Sequence, residues 1–258
     1  MIFDADLTAC AALVEKADPN RFLATMAAPV QARPVLFALF ALNVEVARAP
    51  WVTQEPMIAE MRLQWWRDAL EEIATGKTPR RHEVVSPLAR LISPETARDL
   101  DQLVAARRWD IYKDPFEDEA HFQRYIEQTS GALLWAAGRS LGATQPVVFN
   151  DLGYASGLAN WFQACPELER RGRIPLLDGR SQAIRVLAQS GLDRLNRARA
   201  ARADIPHTAR PATFTAWQTH ALLKQAIKSP NDVAADALGQ NQAQKRLSLI
   251  WASATGRF

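Results

Sequence analysis

The stretch Ala38-Leu39-Phe40-Ala41-Leu42-Asn43-Val44-Glu45-Val46-Ala47-Arg48-Ala49-Pro50-Trp51 is rich in Ala and Leu, holds no glycine and meets its only proline near its end. Residues of this kind favour a helix, and Pro34 ahead of the run sits where a first-turn proline is tolerated, so the sequence predicts a helix over Pro34–Ala49. Its greasiest part, Val35 to Leu42, is far shorter than the ~20 residues of a membrane span. That marks a core helix.

Helical periodicity extends outward in both directions. It predicts helices over Asp6–Ala17, Asn20–Ala27, Pro56–Thr75, Ser86–Leu91, Pro94–Trp109, Glu117–Leu141, Val147–Ala164, Gly179–Ala203, Phe214–Ile227 and Asp232–Ala254, with no convincing alternating strand. Pro56 and Pro94 repeat the first-turn signal, and Gly76 and Gly142 read as C-terminal stops. No long linker, repeat or low-complexity tract interrupts the series. The expectation is an all-α chain forming one domain over residues 1–258, with His207–Thr213 the only minor boundary.

Composition narrows the function classes. Apolar residues make up 48% of the chain, enough for a substantial core, and 31 cationic residues nearly balance 28 anionic ones. A net charge of +3 and a pI near 9.1 indicate a mixed surface, not a nucleic-acid footprint. Cys10 and Cys165 form no disulfide framework and read as small buried apolar residues of a reducing compartment. The opening Met1-Ile2-Phe3-Asp4-Ala5-Asp6 is acidic where a targeting peptide would be basic, so the expected location is cytoplasmic or peripheral on a membrane.

Familiar catalytic motifs are missing. His82, His121, His207 and His220 are scattered without zinc-ligand spacing, and the chain has no Gly-rich phosphate loop or nucleophile elbow. Asp68 and Glu72 stack on one helix face, beside Arg67, as a solvated pair. Glu167 and Glu169 would diverge on a helix. Arg194, Arg197, Arg199 and Arg202 read as a solvent-facing polar helix. At least one of Trp65 and Trp66 should be core, and Trp109, Trp135, Trp161, Trp217 and Trp251 read as packing residues.

Two segments carry a resemblance. The first is the opening stretch. The second runs from Leu152-Gly153-Tyr154-Ala155 through Leu158 and Asn160 to Glu167 and Arg170-Arg171-Gly172-Arg173-Ile174. Both resemble the squalene/phytoene synthase family, and Tyr125 and Gly131 match a helix between them. In that family two helices each carry an Asp-x-x-x-Asp pair, and the four carboxylates hold magnesium against substrate diphosphates. The resemblance implies an isoprenoid-synthase-like helical bundle and covers roughly residues 19 to 178. It puts Ala47 and Trp51 at the first aspartate pair and Ala164 and Leu168 at the second. Pro175 stands in place of the family's tyrosine.

All four metal ligands are therefore replaced. Pro50 and Pro166 also fall between the matched positions, where a proline should break or kink each helix and scatter the common face. A narrower similarity, carried by Phe37-Ala38-Leu39, Ala41, Asn43-Val44-Glu45, Ala47, Met61-Arg62, Gln64 and Trp66, is to the branch of the superfamily formed by assembly factors of respiratory complex I, which also lacks the aspartates. This resemblance implies a non-catalytic helper in assembly of the respiratory NADH dehydrogenase, with a subunit or assembly intermediate as partner, no cofactor, and peripheral contact with the inner membrane. The alternative is a divergent prenyl-diphosphate transferase or prenyl-lipid-binding protein, and magnesium enters only there. Asn43, Glu45, Arg62, Tyr125, Asn160, Arg170, Arg171 and Arg173 are the candidate pocket or partner-binding residues.

Overall fold

The computed structural model describes residues 3–53 and 55–258. Met1 and Ile2 of the acidic opening and Gln54 lie outside the described residues. The helices are α1 (Ala5–Ala17), α2 (Pro19–Ala27), α3 (Arg33–Arg48), α4 (Pro56–Ala74), α5 (Val85–Leu91), α6 (Pro94–Ala106), α7 (Glu119–Ile126), α8 (Ala132–Ser140), α9 (Val147–Arg170), α10 (Ser181–Ala200), α11 (Arg210–Thr213), α12 (Thr219–Lys228), α13 (Asn231–Ala234) and α14 (Gln242–Thr255). Among the described residues there is no strand, so the fold is all-α.

Two helices organise the rest. Every residue of α3 from Pro34 to Val46 is buried, and α1, α2, α5 and α8 pack around it. Leu36, Phe37, Leu39, Phe40 and Leu42 are fully enclosed, each contributing roughly 1.5–3 kcal/mol by leaving water. Helix α9 is the second organiser. It lies against α8, α10 and α12 and buries Leu152, Tyr154, Leu158 and Phe162. Helices α4 and α6 pair with each other, tied by Arg67 and Asp101 at 2.7 Å.

Local chemistry sets the boundaries. Asp4, Asp18, Ser93 and Asp118 accept backbone N–H bonds at the starts of α1, α2, α6 and α7. Gly76 and Gly142 follow α4 and α8 with φ of +69° and +98°, the left-handed stops expected of them.

The structure departs from the sequence reading at several places. The helix expected over Glu117–Leu141 contains a π-helical segment, Glu127–Gly131, between α7 and α8. The one expected over Asp232–Ala254 divides into α13 and α14, because Asn241 and Gln244 form a capping box that starts a new helix. Helix α9 runs through Pro166 to Arg170. The proline removes one rung of the ladder, yet it is buried with Cys165, and packing on both sides keeps the chain helical. A fourth departure is at the Arg-rich helix, α10, where Arg194 and Arg199 are structural ties, while Arg197 is tied and still 57% exposed. Arg194 bonds Glu127 and Asp151, Arg197 bonds Asp151, and Arg199 donates to the Phe258 carbonyl at 2.6 Å.

Trp66, Trp135, Trp161 and Trp217 are buried, whereas Trp251 is 51% exposed beside exposed Leu247 and Ile250 on α14; its burial was expected because helical spacing does not reveal which face meets the core. Cys10 and Cys165 are free and wholly enclosed. Burial pushes both thiols up to about 12.

Candidate functional site

Between α3 and α9 lies a cavity of about 290 Å³. Asn43 and Ala47 reach it from α3, with Trp51 on the following 3-10 turn, Ala49–Trp51. Gly157, Asn160, Trp161, Ala164 and Leu168 reach it from α9. All four positions matched to aspartates therefore line one cavity. The expectation that two prolines would scatter them is corrected: α9 keeps its spacing through Pro166, and the 3-10 turn at Pro50 still returns Trp51 to the same wall. Each helix presents an asparagine one turn before its apolar pair, giving Asn43, Ala47, Trp51 on one side and Asn160, Ala164, Leu168 on the other.

The far wall comes from the segment after α6, from the π-helical turn and from the chain entering α12. Arg107 and Asp110 sit on a 3-10 turn, Arg107–Ile111. Buried Tyr125 donates its hydroxyl to Asp110 Oδ1 at 2.7 Å and accepts from Arg107 Nη1 at 2.9 Å, and Arg107 closes the ring on Asp110 Oδ2 at 3.1 Å. Burial opposes the Arg107 charge, but Tyr125 and Asp110 beside it hold its pKa above the usual value. Burial raises the Tyr125 hydroxyl well above its ordinary range, so the tyrosine stays neutral. Thr129 and Ser130 of the π-helical turn complete this wall. That turn meets α9 so closely that a Cβ on Gly153 would come within 2.7 Å of the Gly131 Cα, and one on Gly157 within 2.5 Å of Ser130 Cβ.

The remaining candidates divide by role. Arg173 is 5% exposed and donates to the backbone carbonyls of Asp110 at 2.7 Å and Trp109 at 3.0 Å; it pins the turn that carries Asp110. Arg171 and Arg170 are exposed and share Glu167, at 2.6 Å and 2.9 Å. The Arg171 guanidinium also stands 4.7 Å from the Trp51 ring, so Trp51, which the resemblance matches to an aspartate, meets the arginine through its aromatic face. Glu45 pairs with Arg48 at 2.5 Å and does not line the cavity. Arg62 is exposed on α4, outside the cavity. Sequence reasoning missed Arg107, Asp110, Thr129, Ser130 and Gln218. Only the Gly153 and Gly157 pair, four apart on one helix face, signalled a close approach here.

A family model described as squalene/phytoene synthase matches residues 14–176. The chain belongs to the squalene/phytoene synthase family. This family member is 31% identical over 179 residues to the assembly factor 6 homolog of NADH dehydrogenase (ubiquinone) complex I from Drosophila melanogaster, covering 65% of this chain and 53% of that protein. It is 26% identical over 170 residues to complex I assembly factor 6 of Homo sapiens, covering 64% and 51%. The chain spans about half the length of the curated relatives it matches. Its fold is similar to that of a dehydrosqualene synthase solved with a ligand, with a TM-score of 0.77 and 16% identity over 96% of this chain and 95% of that one. It is also similar to a squalene synthase from Alicyclobacillus acidocaldarius, with a TM-score of 0.73 and 14% identity over 88% and 94%. At these identities the likeness shows the isoprenoid-synthase-like fold alone. That likeness reaches almost the whole chain, so the fold continues past the point where sequence resemblance ends.

The family's magnesium does not fit these residues. Mg²⁺ takes oxygen ligands in a near-octahedral shell, and Ala47, Trp51, Ala164 and Leu168 offer none. The carboxylates that do reach the cavity are engaged elsewhere: Asp18 caps α2 and pairs with Arg21 at 2.8 Å, and Asp110 is held by Tyr125 and Arg107. Among the described residues no three His, Cys, Asp or Glu side chains gather to hold a metal.

Proposed function

We propose that this chain is a non-catalytic squalene/phytoene synthase homologue, acting as one domain, that assists assembly of the respiratory NADH dehydrogenase by contact with a subunit or assembly intermediate. One observation carries the reading. The synthase cavity is kept, while the four positions that should hold metal are Ala47, Trp51, Ala164 and Leu168. Ionisation of an allylic diphosphate depends on charge placed against the leaving group, and these four residues supply none. The assembly factors among its relatives support the same reading.

Contact at a membrane surface is part of the proposal. No described helix is long and apolar enough to cross a membrane. Helix α4 exposes Met57, Ile58 and Met61, at 73%, 46% and 65%, beside exposed Arg62. A cluster of this kind suits a partner face, and its Met61 and Arg62 belong to the run most similar to the assembly-factor branch. Arg62→Glu is the cleaner probe of it, because reversing Glu45 would also break its pair with Arg48.

The test is a deletion strain complemented with wild-type protein or Arg62→Glu. Native gels score assembled NADH dehydrogenase, and squalene and carotenoid are measured in parallel. The proposal expects loss of the complex in the deletion and incomplete rescue by the variant. Normal complex levels in the deletion would defeat it, and loss of isoprenoid product instead would establish the alternative, a prenyl-diphosphate transferase or prenyl-lipid-binding protein.

A further inference from the structure

The cavity between α3 and α9 has lost its metal site but not its polar wall. We propose that it binds a small uncharged molecule that presents a hydrogen-bond donor and acceptor beside an apolar ring or chain. A volume of about 290 Å³ stands at the small end of ligand pockets, which start at roughly 300 Å³.

Charge selects the class. Four ionised side chains reach the cavity, and they cancel in pairs. Asp18 and Arg21 bond each other at 2.8 Å, and Arg107 and Asp110 at 3.1 Å with Tyr125 closing the ring. Arg107 keeps one buried N–H, at Nε, without a partner, but its charge is offset by Asp110, so the wall carries no net charge to hold a phosphate, a carboxylate or an amine. Burying an unpaired charge here would carry its full desolvation cost.

The amides point to a ligand that bonds both ways. Asn43 is 8% exposed and makes no side-chain hydrogen bond among the described residues. Gln218 is 6% exposed, and its Oε1 is buried without a partner. Buried polar side chains normally have partners, and both of these belong to the cavity lining. Asn160 adds a third amide from the opposite helix, one turn from Ala164. A side-chain amide offers a donor and an acceptor together, so its natural complement is a neutral group with the same pair, such as a carboxamide. The apolar end is built by Ala47, Trp51, Ala164 and Leu168, the replacements that removed the metal, with Trp161 beside them. One set of substitutions therefore removed the charge and created a surface for a ring or short chain.

The inference rests on the cavity being non-catalytic, but it is tested apart from the assembly role. The probes are benzamide and benzoate, near-identical in size and differing in charge, with geranyl diphosphate as the family-type anion. Each is titrated into the purified full chain and followed by tryptophan fluorescence and protein-detected NMR. Saturable benzamide binding, with benzoate and geranyl diphosphate at least about tenfold weaker, is the expected result. Asn160→Leu and Asn43→Leu should each weaken benzamide by about tenfold, a change of 1.4 kcal/mol, at an unchanged melting temperature. Asn160 is the safer site because its side chain is exposed to the cavity; if Asn43→Leu melts early, Asn160→Leu alone decides. Equal or tighter binding of either anion would overturn the proposal. So would benzamide that fails to saturate, which leaves water as the occupant, or benzamide binding indifferent to Asn160→Leu. Failure here leaves the native-gel result untouched.

Discussion

Helices α3 and α9 face each other across one cavity, and on each side a proline falls between the two residues that the resemblance matches to a metal-binding pair. The outcomes differ. Helix α3 ends at Arg48, and Pro50 falls in a 3-10 turn leading toward α4. Helix α9 carries Pro166 in its interior and continues to Arg170. The contrast follows from what lies beyond each proline. After Pro50 come half-buried Trp51 and exposed Val52, which give the helix little reason to continue. At Pro166 the ring is buried, and Glu167 gathers Arg170 and Arg171 before Gly172, at φ +75°, stops the helix. A proline breaks a helix where packing is thin and is carried where packing is dense. Both walls still aim their replaced pairs into the same space.

The comparison is broken most severely where α9 meets the π-helical turn. Gly153→Ala would drive a Cβ to 2.7 Å from the Gly131 Cα and 2.9 Å from the Ser130 carbonyl oxygen, both backbone atoms with little freedom to yield. It should destabilise the fold by about 3 kcal/mol in chemical denaturation, near the upper end for overpacking. No equivalent contact exists on α3, which meets the cavity through side chains.

Tyr125→Phe should come next. It removes a hydroxyl bonded to both Asp110 and Arg107 and leaves the buried Asp110 carboxylate short of a donor, at about 2 kcal/mol. A melting curve identical to wild type would show that the ring of Tyr125, Asp110 and Arg107 adds nothing to the cavity wall.

The prolines themselves sharpen the contrast. Pro166→Ala restores a helix-interior N–H and should stabilise the protein by about 1 kcal/mol, since the gain of up to about 3 kcal/mol is reduced by lost ring burial. Pro50→Ala, outside the helix, should change stability by less than about 0.5 kcal/mol. Equal effects in thermal melts would mean that the two positions are equivalent after all.

The smallest effect concerns the thiols. Burial pushes Cys10 and Cys165 up to about 12, from an ordinary value of 9.0. Above pH 9 the unfolded thiols lose protons that the folded ones keep, so the folded state binds more protons and stability falls as pH rises from about 9 toward 12. Cys10→Ala/Cys165→Ala should flatten that slope in urea melts between pH 8 and about 10, and native wild-type protein should resist thiol labelling until unfolded.

How much was legible follows the same division. Helix α3 could be read because thirteen successive buried residues, Pro34 to Val46, write their burial directly into composition. The family resemblance located Asn43, Tyr125 and Asn160, which all reach the cavity. It also singled out Arg173, but not that the side chain is spent on two backbone carbonyls, because a chain of letters does not show which acceptors a guanidinium meets. The π-helical turn left only glycine spacing as a trace, since the residues opposite it are far away in sequence. Arg194 looked solvent-facing because Asp151, its partner, lies on a different helix. Gln218 was invisible for the same reason: nothing near it in sequence marks it as facing α3 and α9.

With Ala47, Trp51, Ala164 and Leu168 in its walls, the cavity should support no metal-dependent chemistry. The most direct measurement incubates purified protein with Mg²⁺ and farnesyl or geranylgeranyl diphosphate and follows diphosphate release and prenyl product together. The account predicts neither above a boiled control, because Ala47, Trp51, Ala164 and Leu168 give Mg²⁺ no oxygen to bind. Sustained magnesium-dependent turnover by the unmodified protein would contradict it.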